Sequence, residues 1–358
     1  MNFFSKIFVV FSLSISCLSS LVYAQKDWEE IAQDFVLETK KIEIPNYPHA
    51  FNPSIIKWKG RWLLSFRAIS DTAQISTICS ASESDLGLVY LDDNLEPIGQ
   101  PQTIVLDHVA KQRPYLLAED ARLISNENNL YLIFSANKDA IITDAGFRMY
   151  VAQLGENDEG FFVIQNECLS VFDGNKSCLR EKNWVPFIYN SELLLAYYLF
   201  PHKIFRPLLE GSECCELVAK SYPSVTWEWG ELRGGTPALP INQDCYLGFF
   251  HSQIFTKTVH SNNTVTPHYF MGAYLFSLKP PFEIKYISPE PIVGKNFYHG
   301  LLYEHYWHPV NVVFPSGLVI HEDEIWVLYG RQDHEIWIAI LDKQGLLDSL
   351  IPVSTLRE

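Results

Sequence analysis

An all-β fold, a five-bladed β-propeller built as one domain, is predicted by three features of the 358-residue sequence. A hairpin motif recurs along the chain, which is the signature of a repeat architecture. Its strands are short apolar runs dense in β-branched and aromatic residues. Long helical patterns are absent, with one short helix expected at Trp28–Lys40. An irregular β-sandwich with look-alike hairpins is the competing architecture.

Each hairpin joins a polar cluster, an apolar strand, a Gly, Asn or Asp turn, and a second apolar strand closing on a polar residue. The first runs from Asn52 through Ile55-Ile56, turns at Lys59-Gly60 and ends at Arg67. The second opens on Glu119-Asp120-Ala121-Arg122 and returns through Leu130–Ser135. The third opens on Glu181-Lys182-Asn183-Trp184, turns at Asn190-Ser191 and ends near His202. The fourth opens on Arg233-Gly234-Gly235-Thr236 and closes on His251; the fifth runs from Phe314 to Gly330, Arg331 and Asp333. The units start about sixty residues apart, a little above the usual ~40–50 of propeller blades. Further strands follow most of them, such as Met149–Leu154 and Ile336–Leu341. Five four-stranded sheets around an axis account for the pattern.

Composition narrows the function. With 47% hydrophobic and 19% charged residues the chain is neither disordered, collagen-like nor a coiled coil. The 27 Lys and Arg against 42 Asp and Glu leave a net charge of −15, which disfavours nucleic acid or an anionic membrane as partner. Residues 1–24 read as a signal peptide: Lys6, an apolar stretch from Ile7, and Val22-Tyr23-Ala24 before a polar run. The expected organisation is therefore a leader (1–24), an N-terminal segment (25–47) and the propeller (48–358), in a secreted or periplasmic protein with no membrane contact after cleavage. Export makes disulfides the natural state of the six remaining cysteines, with Cys168–Cys178 the first expected pair. Asn175 and Asn262 are glycosylation acceptors if the source is eukaryotic.

In a hairpin the start of one strand lies beside the end of the other, and in all five units the polar residues occupy those positions. Equivalent blades would therefore gather Asn52, Arg67, Glu119, Asp120, Arg122, Lys182, Arg233, His251, Arg331 and Asp333 at one rim of the central channel. Carboxylates with basic neighbours suit the cleavage of glycosidic bonds. Strand alternation allows only one of Glu119 and Asp120 to aim inward, and gives Arg122 the parity of Asp120. No Gly-x-Ser-x-Gly elbow, phosphate loop or dinucleotide fingerprint occurs. No cofactor and no metal site are expected; His299, His305 and His308 have irregular spacing.

Phe51-Asn-Pro-Ser-Ile-Ile with Leu64-Ser-Phe-Arg67-Ala, Glu119-Asp-Ala-Arg-Leu-Ile, and Val313-Phe-Pro-Ser-Gly with Tyr329-Gly-Arg-Gln-Asp333 resemble glycoside hydrolase family 130. The resemblance runs in family order from about Pro48 to Leu341. It implies a five-bladed propeller acting on mannosides, as phosphorylase, hydrolase or transferase. It further implies Asp120 as general acid, relaying its proton through a sugar hydroxyl in phosphorylases. Asn52, Arg67, Arg233, His251 and Asp333 would be sugar ligands. Two departures stand out. Ala121 replaces the family's proline, and the third blade, Arg180-Glu-Lys-Asn-Trp184, does not align with the basic residues that hold phosphate. The expected function is cleavage or transfer of a mannose-type glycoside by single displacement, with an oligosaccharide or glycan as partner and inorganic phosphate as an open co-substrate. The alternatives are a glycan-binding propeller without catalysis and a transferase using a mannosyl phosphate donor.

Overall fold

A computed structural model describes residues 27–69, 84–106, 117–127, 129–137, 147–169, 181–209, 214–261, 264–299 and 311–355. The leader, Cys79, Cys178, Asn175, Asn262, His305, Trp307 and His308 lie outside the described residues.

Among the described residues, five blades of antiparallel strands follow one another in sequence order, with a small two-stranded sheet beside them. Blade 1 spans Phe51 to Thr103, blade 2 Leu117 to Leu169 and blade 3 Val185 to Ser221, each with four strands. Blade 4 uses the short segments Arg233–Gly234 and Leu239–Pro240 against Cys245–Thr256, then Thr266–Ser277 and Ile284–Ile287. Blade 5 takes three strands from Val313 to Asp342 and its fourth from the other end of the chain.

That fourth strand, Val36–Ile42, pairs antiparallel with the third strand of blade 5, Lys40 opposite Ile338 and Ile42 opposite Ile336. Residues 25–47 thus contain an integral part of the ring rather than a separate segment. The helix expected across Trp28–Lys40 is only a 3₁₀ turn at Trp28–Ile31, its N-terminus capped by Asp27. Sheet pairing overrides local propensity beyond it. The C-terminus is also fastened: Ile351–Pro352 adds an outer strand to blade 4, and Ser354–Thr355 pairs with Pro223–Ser224. Both terminal segments cover sheet edges that would otherwise be open.

The core lies between blades. Leu63 and Leu88 pack with Leu132 and Phe134 across blades 1 and 2, while Leu64 and Phe66 face Leu328 and Ile338 of blade 5. Ile133 faces Trp184 and Leu195 of blade 3, Leu194 faces Phe250 of blade 4, and Phe249 faces Val327 of blade 5. Neighbours in one strand therefore serve opposite interfaces, both of them buried. This is why the second strand of each blade reads as a continuous apolar run rather than an alternating one. One expectation about thiols changes: Cys245 is a free buried thiol, so the six cysteines are not all bridged.

Candidate active site

The first strands of blades 1 and 2 do not enter the ring as regular strands. Pairing skips from Phe51 to Ser54 and from Glu119 to Arg122. At these bulges Asn52 (φ 47°) and Asp120 (φ 54°) take the left-handed backbone conformation, and Asn183 (φ 64°) does so just before the first strand of blade 3. Asn and Asp tolerate this region better than other side chains. The same kink in three successive blades turns three polar side chains toward one centre.

The bulge also overturns the alternation argument. Glu119 and Asp120 both reach Arg67: Nη2 donates to Glu119 Oε1 at 3.0 Å and Nη1 to Asp120 Oδ1 at 3.3 Å. Asn52 Nδ2 donates to Asp120 Oδ1 at 2.7 Å, and Lys182 Nζ pairs with Glu119 Oε2. Arg67 is held from behind by Ser84 Oγ, 2.8 Å from Nε, and Ser84 in turn donates to the Ala118 carbonyl. Lys182 lies over the Phe147 ring, 3.6 Å from its centre. Close approach at Asn52 requires Gly330, since a Cβ there would stand 1.9 Å from Asn52 Oδ1.

Asp333 comes from the turn after the second strand of blade 5, at φ 56°. Burial pushes its carboxyl up to about 7; Arg67 and Lys182 oppose this, while Asp120 and Glu119 reinforce it. Asp333 therefore lies within electrostatic reach of Arg67, Lys182, Asp120 and Glu119. Asp120 behaves oppositely. Burial acts to raise its pKa, but Arg67, Lys182, Arg122 and the Asn52 hydrogen bond together hold it below the ordinary carboxylate value. Both its hydrogen bonds fall on Oδ1, and a tenth of the side chain stays accessible.

Other expected ligands have different tasks. Arg122 is fully buried and pins three blades, donating to the Gly235 carbonyl (2.8 Å), the Asp120 carbonyl (2.5 Å) and Asn183 Oδ1 (3.1 Å). It bonds to the Asp120 backbone carbonyl rather than to its carboxylate. Arg331 pairs with Glu335 and donates to the carbonyls of Asn296 and His299. Arg233 is half-exposed and pairs with Glu231. His251 donates from Nδ1 to the Gly234 carbonyl, is flanked by Tyr269 and Phe314, and is kept neutral by burial and by Arg122, its pKa pushed down to about 3. Asn52, Arg67, Glu119, Asp120, Lys182 and Asp333 form the cluster; Arg122 and His251 border it; Arg233 and Arg331 are engaged elsewhere. Asn183 was not singled out from sequence, although its place in the third repeat matches that of Asn52 and Asp120.

No protein-family model matches the chain. A β-1,2-mannobiose phosphorylase of Thermoanaerobacter sp. (strain X514) is 24% identical over 309 residues, covering 82% of this chain and 90% of the relative. Among solved structures, one from glycoside hydrolase family 130, described as targeting β-1,2-mannosidic linkages, superposes with a TM-score of 0.60 at 13% identity, over 90% of this chain and 96% of that one. This chain has the family 130 fold. A family 130-like neighbour, the β-1,2-mannobiose phosphorylase of Listeria innocua in complex with β-1,2-mannobiose, gives 0.54 at 15% identity, over 90% and 95% of the two chains. A mannose phosphorylase of Leishmania mexicana with bound phosphate gives 0.58 at 13%, over 90% and 93%. Within this fold the charged cluster joins side chains from blade 1, blade 2 and the segment leading into blade 3.

Proposed function

We propose that the protein is a carbohydrate-active enzyme that hydrolyses a β-mannoside, with a β-1,2-linked manno-oligosaccharide as the substrate class. The observation that carries this reading is the Asn52–Asp120–Arg67 arrangement: a nearly buried carboxyl with one oxygen engaged by a fixed amide and guanidinium, and with the Asp333 carboxyl acting on it. Substrate hydroxyls would bond to Asn52, Arg67 and Asp333. Asp120 would pass a proton, directly or through a sugar hydroxyl, to the leaving oxygen as the C1–O bond breaks. Water would add to C1 from the other face and give up a proton to the cluster's carboxylates, replacing the one Asp120 donated and leaving a reducing sugar with inverted configuration. Asp333, its carboxyl pushed up to about 7 by burial, would hold the proton from which Asp120 is recharged.

Hydrolysis is favoured over phosphorolysis by the engagement of the cations. Among the described residues, Arg67 and Lys182 are bonded to carboxylates, and Arg122 and Arg331 to carbonyls and, for Arg331, Glu335. A phosphate dianion would have to displace those partners. The lowered pKa of Asp120 favours a second reading, a glycan-binding propeller in which this carboxylate only accepts hydroxyl hydrogen bonds.

The test is incubation of the purified chain with β-1,2-mannobiose, with and without phosphate. Release of mannose without phosphate supports hydrolysis, whereas mannose 1-phosphate formed only with phosphate supports phosphorolysis. Asp120→Asn should lower turnover by about 10²–10⁴-fold with sugar affinity retained. Sugar binding without any product would leave the glycan-binding reading. Residues 1–24 are proposed to direct export, and N-terminal sequencing of the mature protein beginning at Gln25 would establish it.

A further inference from the structure

Away from the channel, three distant parts of the chain meet at a compact group of metal-ligating side chains. Asp27 and Glu29 come from the N-terminal 3₁₀ turn, His260 from the turn Val259–Ser261 after a long strand of blade 4, and His299 from the stretch before blade 5. One donor atom each from Glu29, His260 and His299 lies within 4.8 Å of the others. His260 Nε2 is 2.9 Å from Asp27 Oδ1, and His299 Nδ1 is 2.5 Å from Glu29 Oε2. The two imidazoles stand edge to face with centres 4.8 Å apart.

We infer that Glu29, His260 and His299 form a structural site for a divalent transition metal ion, Zn²⁺ above all, with Asp27 Oδ1 fixing the His260 ring through Nε2 as an outer partner. Two imidazoles and one carboxylate, with water in the fourth position, are a donor set for Zn²⁺, whereas Ca²⁺ and Mg²⁺ call for oxygen ligands throughout. The surroundings orient the ligands as outer partners do in metal sites. Glu29 Oε1 accepts the backbone N–H groups of Tyr298 and His299 at 2.7 and 2.8 Å, and Oε2 that of Asn296 at 2.9 Å. Asp27 Oδ1 is fixed by the N–H of Glu29 at 2.9 Å. On binding, each neutral imidazole keeps its ring proton on the nitrogen away from the metal, and no electron is transferred.

The site sits where it can stiffen the channel. The carbonyls of Asn296 and His299 accept from Arg331, and that of Tyr298 from Gln332, the two residues immediately before Asp333. An ion joining residue 29 to 260 and 299 would lock the N-terminal turn and this stretch onto the turn that presents Asp333. The sequence reading expected no metal; the paired residues are separated by 233 and 270 positions along the chain, so no spacing motif exists to reveal them.

The test uses the full mature chain, stripped with EDTA and titrated with ZnCl₂ and then CoCl₂. Wild type should bind one equivalent of Zn²⁺, show Co²⁺ absorption of a four-coordinate nitrogen–oxygen site, and gain about 4 °C in melting temperature at a 100-fold excess over Kd. His299→Ala, at an exposed position, should keep its circular dichroism spectrum and lose at least tenfold in affinity, and Glu29→Gln should do the same. Failure of wild type to bind Zn²⁺, or unchanged stoichiometry and affinity in His299→Ala, would overturn the assignment.

Discussion

Replacing Asp333 by Asn should stabilise the protein at alkaline pH and leave it nearly unchanged in mild acid. The folded protein carries this carboxyl from an ordinary 3.8 to about 7, chiefly by burial. Between those values the folded state holds a proton that the unfolded chain has released, so stability falls as pH rises through the window and levels off above 7. At about 1.4 kcal/mol per factor of ten, the full difference corresponds to about 4 kcal/mol. This is an upper figure, because Arg67 and Lys182 lose a partner when the charge disappears. Asn mimics the protonated acid in shape and cannot ionise, so the variant escapes the loss. For a chain of this length the unfolding entropy is about 0.7 kcal/mol/K, which converts the gain to a rise of about 6 °C at pH 8. The assay is thermal unfolding of wild type and Asp333→Asn at pH 4.5 and pH 8. Equal differences between the two proteins at both pH values would refute the claim that Asp333 holds a proton in the folded protein.

Mannoside turnover should fall as pH rises through about 7, where Asp333 gives up its proton, and a pH–rate profile of Asp333→Asn should lack that limb. Arg122→Ala would leave the Gly235 and Asp120 carbonyls and Asn183 Oδ1 without their buried donor, and should cost about 3 kcal/mol or more in urea unfolding. Gly330→Ala places a methyl group 1.9 Å from Asn52 Oδ1. It should push Asn52 off Asp120 and raise KM for mannobiose at least tenfold, with the fold retained by circular dichroism. Deleting residues 27–42 removes the outer strand of blade 5 and should yield an aggregation-prone protein on size-exclusion chromatography, in contrast to deletion of residues 1–24.

Much of this was present in the order of residues. Hairpins whose polar ends recur in phase announce a ring, because each blade must bury both faces against its neighbours, and the runs Trp62–Phe66, Leu130–Phe134 and Ile325–Tyr329 carry that requirement locally. The phase of the repeat also marked Asn52, Arg67, Glu119, Asp120, Lys182 and Asp333 as residues that would meet. Three-dimensional packing decided the rest. Regular alternation assigns Glu119 and Asp120 to opposite faces, and only a bulge with Asp120 at positive φ brings both to Arg67. Whether a charged side chain faces ligand or backbone depends on carbonyls supplied by other blades, which turned Arg122 and Arg331 into braces. The closing strand Val36–Ile42 and the Asp27–Glu29–His260–His299 group depend on contacts between the chain's two ends, and local sequence holds no record of distance in space. Sequence alone determined the repeating strands and the residues at their ends; the closed ring decided which of those ends touch, because long-range contacts and burial set both side-chain direction and charge.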